Sequence, residues 1–191
     1  MNKALEKELQ QAQERIEAKA KKMAKTPKLL VYNGGDMLSV ANQAKHAEED
    51  QQLRRLGYDV YSPQDDEEIN DKQNQTEDSN NSLAEKIFDH DTKGMAKSDI
   101  IIFEVSNNNV GTNVELGQWA QQERIQPTGK RYYFHSYDIR RTNIPEAGDR
   151  RSWSINQYLY GAILSLNPKG IQKWGDIIDE LDQGTKNSGR D

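Results

Sequence analysis

Hydrophobic and polar positions along this chain follow two different periods, one typical of buried strands and one typical of helices. Short apolar runs with strand-forming residues occupy residues 28–32, 58–61, 99–105 and 131–135. The run over 99–105 is almost continuously apolar, which predicts a strand at the centre of a parallel sheet. Between the runs, apolar residues recur every three or four positions, which predicts helices. The predicted helices cover residues 39–56, 82–95, 113–122, 153–166 and 171–181.

Glycine and proline mark the ends of several of these segments. Gly57 follows the first helix of the core and suits the left-handed position after a helix, and Pro63 stops the second strand. The first strand, its glycine turn, the helix and the second strand form a βαβ unit, which implies parallel strands. The chain is therefore predicted to be an α/β protein with an open doubly wound, Rossmann- or flavodoxin-like parallel sheet of about five strands with flanking helices. Ligands bind such sheets beyond the carboxyl ends of the strands.

Three segments differ from the regular core, which is predicted to span residues 27–181. Residues 1–26 are predicted to form an N-terminal helical extension, whose narrow apolar stripe fits docking on its own domain and pairing with a second copy equally well. Residues 64–82 are polar with almost nothing to bury, which predicts a mobile surface loop or lid. Residues 182–191 are predicted to be a disordered tail. The helix over 82–95 is expected to turn apolar residues inward, namely Leu83, Ile87, Phe88 and Met95.

Composition narrows the classes of protein further. At 191 residues the chain is long enough for one domain with a full core and too short for two ordinary ones. No apolar run approaches the roughly 20 residues of a bilayer-spanning helix, and the start has no signal-peptide pattern. The absence of cysteine excludes disulfides and fits a cytoplasmic protein. A net charge of −5 without a basic face disfavours nucleic-acid polymers as partners but leaves a free nucleoside or nucleotide as a ligand.

Polar residues gather in three loops that leave the carboxyl ends of predicted strands, at residues 33–36, from Pro63 onward, and at 106–112. The first loop reads Asn-Gly-Gly-Asp and is neither a P-loop nor a dinucleotide-binding glycine motif. Two interpretations of it stand. It is either a tight turn that needs positive φ, or a turn that lets a substrate approach the backbone.

Two acidic residues near the third loop are candidates for catalysis. Glu115 is predicted to lie in the first turn of the helix after the central strand, where the helix dipole keeps a carboxylate ionised at neutral pH, as a nucleophile must be. Asp91, on the helix before that strand, is a second acid that could supply or accept a proton. The ordinary alternatives are a dipole-complementing residue for Glu115 and a solvated helix face for Asp91. The three histidines show no metal-ligand spacing, so no metal is expected.

Four features along the chain, taken together, resemble one known family. They are the glycine turn over residues 31–35, the segments 61–64 and 69–72, Asp91 ahead of the central strand, and the motif Gly111-x-x-x-Glu115-Leu116-Gly117. Asp91 and the last motif, at this separation, are the specific part. Over about residues 28–166 the chain is similar to the nucleoside 2-deoxyribosyltransferase family and its relatives, the deoxynucleoside 5′-monophosphate N-glycosidases.

The resemblance implies an enzyme that cleaves the N-glycosidic bond of 2′-deoxynucleosides without a cofactor. In such enzymes the glutamate at the Glu115 position attacks the anomeric carbon and forms a covalent deoxyribosyl-enzyme, and the aspartate at the Asp91 position handles the leaving base. The acceptor, a free nucleobase or water, then decides between transferase and hydrolase. The residues expected to bind substrate are Tyr32, Gly34, Gly35, Asp36, Asn109, Gly111, Asn156 and Tyr158.

Sites of this family are usually completed by a neighbouring subunit, so the resemblance also implies a homodimer or a higher homo-oligomer. The candidates for that contribution lie in the C-terminal segment, at Asn156, Tyr158 and Tyr160. Packing in the core of the same subunit is the alternative for the two tyrosines.

The chain departs from the family pattern at two positions. Where the transferases usually have an acid that meets the sugar 5′-hydroxyl, six residues before the nucleophile, this chain has Asn109. An amide does not repel a 5′-phosphate, which favours the hydrolase and predicts that monophosphates are accepted at least as well as nucleosides. Asp36 replaces the usual proline and opposes a phosphate. The arginines that could offset it are Arg140, Arg141, Arg150 and Arg151. A non-catalytic nucleotide-binding module is disfavoured because both acids are present.

Overall fold

The strands and helices alternate along the chain as the periodicity predicts. The computed structural model describes residues 28–66, 69, 76–139 and 154–188, and the predicted N-terminal extension lies outside these residues. The strands are β1 (Leu30–Gly34), β2 (Asp59–Tyr61), β3 (Ile100–Glu104), β4 (Arg131–His135) and β5 (Ile171–Gln172). The helices of the described residues are α1 (Val40–Arg55), α2 (Glu77–Asn80), α3 (Leu83–Lys97), α4 (Val110–Ile125), α5 (Gln157–Leu166) and α6 (Trp174–Ser188).

The sheet is parallel throughout, and its strands lie in the order β2-β1-β3-β4-β5. Tyr32 of β1 lies opposite Tyr61 of β2 on one side and Ile101 of β3 on the other. The strand order therefore reverses between β1 and β3, which is the switch point where flavodoxin-like sheets bind ligands. The predicted open, doubly wound α/β fold is confirmed.

Local sequence signals explain where the first helix begins and where the second strand ends. Ser39 caps α1, since its hydroxyl accepts a hydrogen bond from the Asn42 N–H at 3.1 Å. Gly57 follows α1 with a φ of +95°, the left-handed conformation predicted for it. Pro63 ends β2 and opens the short 3₁₀ turn Pro63–Asp65. After these signals the chain forms β2, which pairs with β1 at the edge of the sheet.

Side chains of the strands alternate between two cores, one on each face of the sheet. The core beneath α3, α4 and α5 includes Tyr32, Ile101 and Phe103, and the core beneath α1 and α6 includes Val31 and Ile102. Both faces are covered, as a parallel sheet requires. At the carboxyl ends of the strands, the face toward α1 changes from apolar to polar residues, all buried: Asn33, Glu104 and His135.

The start of α4 differs from the prediction. The helix begins at Val110 and not at Asn113, and Asn109 is its N-cap residue, without a side-chain capping bond. The sequence did not show this, since asparagine is common both in loops and at helix caps. The earlier start moves every residue of the motif deeper into the helix.

The C-terminal prediction also needs correction. Residues 171–172 pair with β4 as β5, and the last helix starts only at Trp174. A two-residue strand is too short for its pattern to be distinguished from the first turn of a helix. The helix α6 continues to Ser188, well into the segment 182–191 that was predicted to be a disordered tail.

Two predictions about burial are wrong. Phe88 on α3 is 56% exposed, whereas Met95 on the same helix is fully buried as predicted. Ile69, in the segment predicted to have almost nothing to bury, is 2% exposed. No helix in the described part of the chain is both long and apolar enough to cross a membrane.

Candidate active site

A cavity of about 320 Å³ opens at the carboxyl ends of β1 and β3, where the strand order reverses. Tyr32 of β1, Asp91 of α3 and Glu115 of α4 line it together. The loops that follow β1 and β3 add the predicted substrate-binding residues Gly35, Asp36 and Asn109, and the first turn of α4 adds Gly111.

Glu115 reaches this cavity from a helix position that the sequence did not indicate. Because α4 begins at Val110, Glu115 lies in its second turn, and the first turn contains no acidic residue. The helix dipole acts mainly within the first turn, so it is not what sets the charge of this carboxyl. The predicted first-turn position, and the dipole argument built on it, are therefore wrong.

Burial and a neighbouring carboxylate set the pKa of Glu115 instead. Desolvation raises this pKa, the negative charge of Asp91 raises it further, and interaction with Tyr32 opposes the rise, so that the pKa is about 7. Glu115 therefore holds a proton at a higher pH than an ordinary glutamate does. The carboxyl is thus harder to ionise than the predicted first-turn position implies. A carboxyl poised near neutrality is typical of functional sites.

Asp91 is buried beside Glu115, and only 7% of it is exposed, which removes the interpretation as a solvated helix face. The Tyr61 hydroxyl interacts with Asp91 and donates a hydrogen bond to Asp66 at 3.2 Å. Burial first, and then these two carboxylates, raise the pKa of Tyr61 and keep its hydroxyl protonated. The Tyr61 ring stacks on Tyr32, with centroids 5.7 Å apart and planes 13° apart.

The glycine turn after β1 needs its glycines for close packing and not for backbone conformation. Neither Gly34 nor Gly35 has a positive φ, so that interpretation of the turn is wrong. A Cβ on Gly35 would lie 2.3 Å from the His46 ring and 2.9 Å from the Glu104 Cβ. A Cβ on Gly34 would lie 2.5 Å from the Tyr32 ring. The turn therefore packs directly on buried side chains while Gly35 lines the cavity.

The Asp36 carboxylate holds this turn to the start of α1. It accepts hydrogen bonds from the Leu38 N–H and from the Asn42 side chain, each at 2.9 Å. The backbone N–H of Asp36 donates to the Glu104 carboxylate at 3.3 Å. Asp36 thus connects the turn after β1, the start of α1 and the end of β3. Proline could not make these bonds, because it has neither a backbone N–H donor nor a side-chain acceptor.

Glu104 also binds the loop on the opposite side of the cavity. The Asn109 side-chain amide donates to the Glu104 carbonyl oxygen at 3.1 Å and to its carboxylate at 3.4 Å. Behind Glu104, His46 pairs with Glu49 at 3.0 Å, and both of these side chains are fully buried. Although burial opposes it, the bond to Glu49 raises the pKa of His46. Glu104, His46 and Glu49 therefore form a buried polar cluster that supports the loops after β1 and β3 from the side of the sheet that α1 covers.

The predicted substrate-binding residues fall into two groups. Tyr32, Gly35, Asp36, Asn109 and Gly111 lie around the cavity with both acids. The other three do not line this cavity. Gly34 packs against the Tyr32 ring, and Asn156 and Tyr158 line a separate surface cavity between α4 and α5.

The C-terminal candidates have different environments from one another. Asn156 caps α5 by accepting hydrogen bonds from the Tyr158 and Leu159 N–H groups. Tyr158 is 91% exposed, and Tyr160 is buried in the core, as the packing alternative for it predicts. The arginines at 140, 141, 150 and 151 lie outside the described residues.

The sequence analysis did not identify three residues that lie near the site. Ile69 lines the cavity, and Tyr61 and Glu104 contact its polar residues. Tyr61 and Glu104 are the last residues of β2 and β3, so the rule that ligands bind at the carboxyl ends of strands could have found them. Among the described residues, no group of His, Cys, Asp and Glu side chains is arranged to hold a metal ion.

The fold and the site together define an α/β protein with two buried carboxyl groups at the switch point of its sheet. Paired carboxyl groups of this kind suit acid–base and nucleophilic chemistry at a glycosidic carbon. The family model for nucleoside 2-deoxyribosyltransferases matches residues 31–142. The chain belongs to the nucleoside 2-deoxyribosyltransferase family, as the sequence resemblance predicts.

Solved structures show the same fold at low sequence identity. A 2-deoxyribosyltransferase from Bacillus psychrosaccharolyticus superposes with a TM-score of 0.53 at 19% identity, covering 78% of this chain and 90% of its own. A conserved protein from Enterococcus faecalis V583 superposes with a TM-score of 0.56 at 20% identity, covering 83% of this chain and 99% of its own. No curated protein sequence matches the chain. At these identities the structures support the fold.

Proposed function

We propose that this protein cleaves the N-glycosidic bond of 2′-deoxynucleosides and transfers the deoxyribosyl group to another base. The observation that carries the proposal is the pair of buried carboxyl groups, Glu115 and Asp91, in one cavity at the switch point. Membership of the family supports the reaction class. The proposed cleavage and transfer need no metal or cofactor, because each is a nucleophilic substitution assisted by acid–base catalysis.

The two carboxyl groups divide the proposed reaction between them. The ionised Glu115 attacks the anomeric carbon, the bond to the base nitrogen breaks with its electron pair on that nitrogen, and the Asp91 carboxyl donates its proton there. In the second step an acceptor base attacks the same carbon and gives its proton to the Asp91 carboxylate, and Glu115 leaves as a carboxylate. Mutual repulsion between the two groups favours the state in which they share one proton, and the reactive form is the one in which Asp91 carries that proton and Glu115 is ionised.

Product analysis tests this function directly. The protein is incubated with a 2′-deoxynucleoside or its 5′-monophosphate and a different free base, for purine and pyrimidine pairs, and the products are separated by chromatography. A new deoxynucleoside is the expected result. Release of free base alone, at the same rate with and without the acceptor, would show the deoxynucleoside hydrolase that is the second candidate. No turnover of any nucleoside or nucleotide would overturn the enzymatic proposal.

Replacing Asp91 is expected to change the pH dependence as well as the rate. The charge of Asp91 raises the pKa of Glu115, so Asp91→Asn should move the acidic limb of the kcat/KM profile to lower pH. Loss of the proton donor should also lower kcat by about 100-fold. The control is Asp89→Asn, an exposed acid on α3 that pairs with Lys93, and it should leave both quantities unchanged. An unmoved acidic limb in Asp91→Asn would show that the two groups are not coupled.

A further inference from the structure

A chain of hydrogen-bonded side chains leads from Asp91 away from the cavity. The Tyr61 hydroxyl interacts with Asp91 and donates to Oδ2 of Asp66 at 3.2 Å. The Nδ1 atom of His90 lies 2.8 Å from the same oxygen. Because a carboxylate oxygen only accepts, the hydrogen of this second bond is on Nδ1. Two donors therefore converge on one oxygen of Asp66, one from β2 and one from α3.

Packing on two sides holds the Tyr61 ring beside Asp91. One side is the stack on Tyr32. The other side is α3, where a Cβ on Gly94 would lie only 2.6 Å from the Tyr61 ring. Gly94 follows Asp91 by three residues, and residues three apart share one face of a helix. The absence of a side chain at Gly94 therefore lets the tyrosine lie directly on α3, next to Asp91.

The hydrogen of the Tyr61 hydroxyl decides which form of Asp91 this contact favours. A hydroxyl has one hydrogen to donate, and its oxygen can also accept. With that hydrogen directed to Asp66, Tyr61 meets Asp91 as an acceptor. A protonated Asp91 can donate to this oxygen, whereas an ionised Asp91 has acceptors only. The bonds to Asp66 and Asp91 together therefore favour the proton on Asp91.

The proposed reaction needs the shared proton on Asp91, but burial works against this. Desolvation and the charge of Asp91 raise the pKa of Glu115 to about 7, which draws the proton toward Glu115. Repulsion between the two groups fixes how many protons they hold and not which group carries them. A contact that stabilises the proton on Asp91 raises the share of the reactive form. This step rests on the proposed function.

We propose that Tyr61 and Asp66 are positioning residues that hold the shared proton on Asp91. Tyr61 accepts from the protonated Asp91, and Asp66 acts through Tyr61 by taking the tyrosine hydrogen. His90 holds the Asp66 carboxylate in place. In the reaction the proton still passes from Asp91 to the base nitrogen. Tyr61 keeps its own hydrogen, because burial first and then these two carboxylates raise its pKa.

The kinetic test compares kcat/KM for 2′-deoxyguanosine with that for 7-methyl-2′-deoxyguanosine. The methylated base is already cationic, so it leaves as a neutral molecule when the glycosidic electron pair moves to its nitrogen, and it needs no proton donor. Tyr61→Phe and Asp66→Ala should each lower the value for 2′-deoxyguanosine by about fivefold and leave the value for the methylated substrate nearly unchanged. The double variant should lose no more than Tyr61→Phe alone, because Asp66 acts through that hydroxyl.

Two control variants separate this effect from a general loss of structure. Tyr58→Phe removes another tyrosine hydroxyl, which donates to a backbone carbonyl of α6 in the core on the other face of the sheet. Asp65→Ala removes the exposed carboxylate next to Asp66. Both should leave the ratio of the two kcat/KM values unchanged. An equal loss on both substrates in the two site variants, or wild-type values on both, would overturn the proposed role.

A measurement without turnover separates the proposal from the proposed function. Carbon NMR of protein labelled at the aspartate carboxyl carbons reports the ratio of protonated to ionised Asp91 at neutral pH, and Asp91→Asn identifies the signal. This ratio should fall by about fivefold in Tyr61→Phe and in Asp66→Ala, and it should not change in Tyr58→Phe. An unchanged ratio in the site variants would overturn the role of Tyr61 and Asp66. The expected fall in a protein that turns over no nucleoside or nucleotide would support that role and overturn the proposed function.

Discussion

Glu115→Gln is expected to lower kcat/KM for deoxyribosyl transfer by about a thousandfold or more. Glutamine has nearly the same shape, but its amide cannot attack the anomeric carbon, and so the covalent intermediate does not form. Steady-state assays with a deoxynucleoside and an acceptor base measure the loss. Intact-protein mass spectrometry of samples quenched during turnover should show one added deoxyribosyl group on the wild-type protein and none on the variant.

The control for this experiment is Glu48→Gln, which removes an exposed carboxylate that pairs with Lys45 on α1. It should keep the wild-type rate because it lies outside the cavity lining. If Glu115→Gln retained a tenth or more of the activity, or still acquired the sugar, the nucleophile would have to be another residue.

The same Glu115→Gln substitution is expected to stabilise the folded protein above pH 7. The pKa of Glu115 is raised from 4.5 to about 7 in the folded state, so between these values the folded protein binds the proton more tightly than the unfolded chain. As pH rises from about 4.5 to about 7, this carboxyl therefore lowers the free energy of unfolding of the wild-type protein. The loss reaches up to about 3 kcal/mol once the carboxyl is ionised in both the folded and the unfolded protein. Glutamine does not titrate and avoids this cost.

Urea unfolding of the wild-type protein and of Glu115→Gln at pH 8 and pH 5 measures this effect. The variant should be more stable at pH 8, and most of its advantage should disappear at pH 5, where the wild-type carboxyl is protonated in the folded state. Glu48→Gln again serves as the control and should show no such pH dependence. An equal difference at both pH values would mean that Glu115 does not titrate near neutrality.

Much of the fold could be predicted from the sequence because its signals are local. The apolar run that contains β3 predicted a central parallel strand, and Gly57 and Pro63 marked the ends of α1 and β2 correctly. The errors lie where local signals are weak. The strand β5 has only two residues, and Asn109 suits a loop as well as an N-cap.

The candidate site could be predicted only in part, for a similar reason. The family pattern identified Asp91 and Glu115, and the carboxyl-end rule placed the loops beside them. Glu104 looked like the polar end of an apolar strand, and nothing in its neighbours along the chain indicated that it would meet Asp36 and Asn109. Its contacts with Asp36 join residues 68 positions apart, a separation that no periodicity can report.

The sequence by itself determined the parallel sheet and the family, and it singled out the two acids as candidates, because these depend on patterns within short segments. Only the tertiary structure decided the protonation of Glu115. That depends on how deeply the carboxyl is buried and how near Asp91 comes, and both act through space. The orientation of the Asn109 amide was decided in the same way, by the Glu104 acceptors that β3 places beside it.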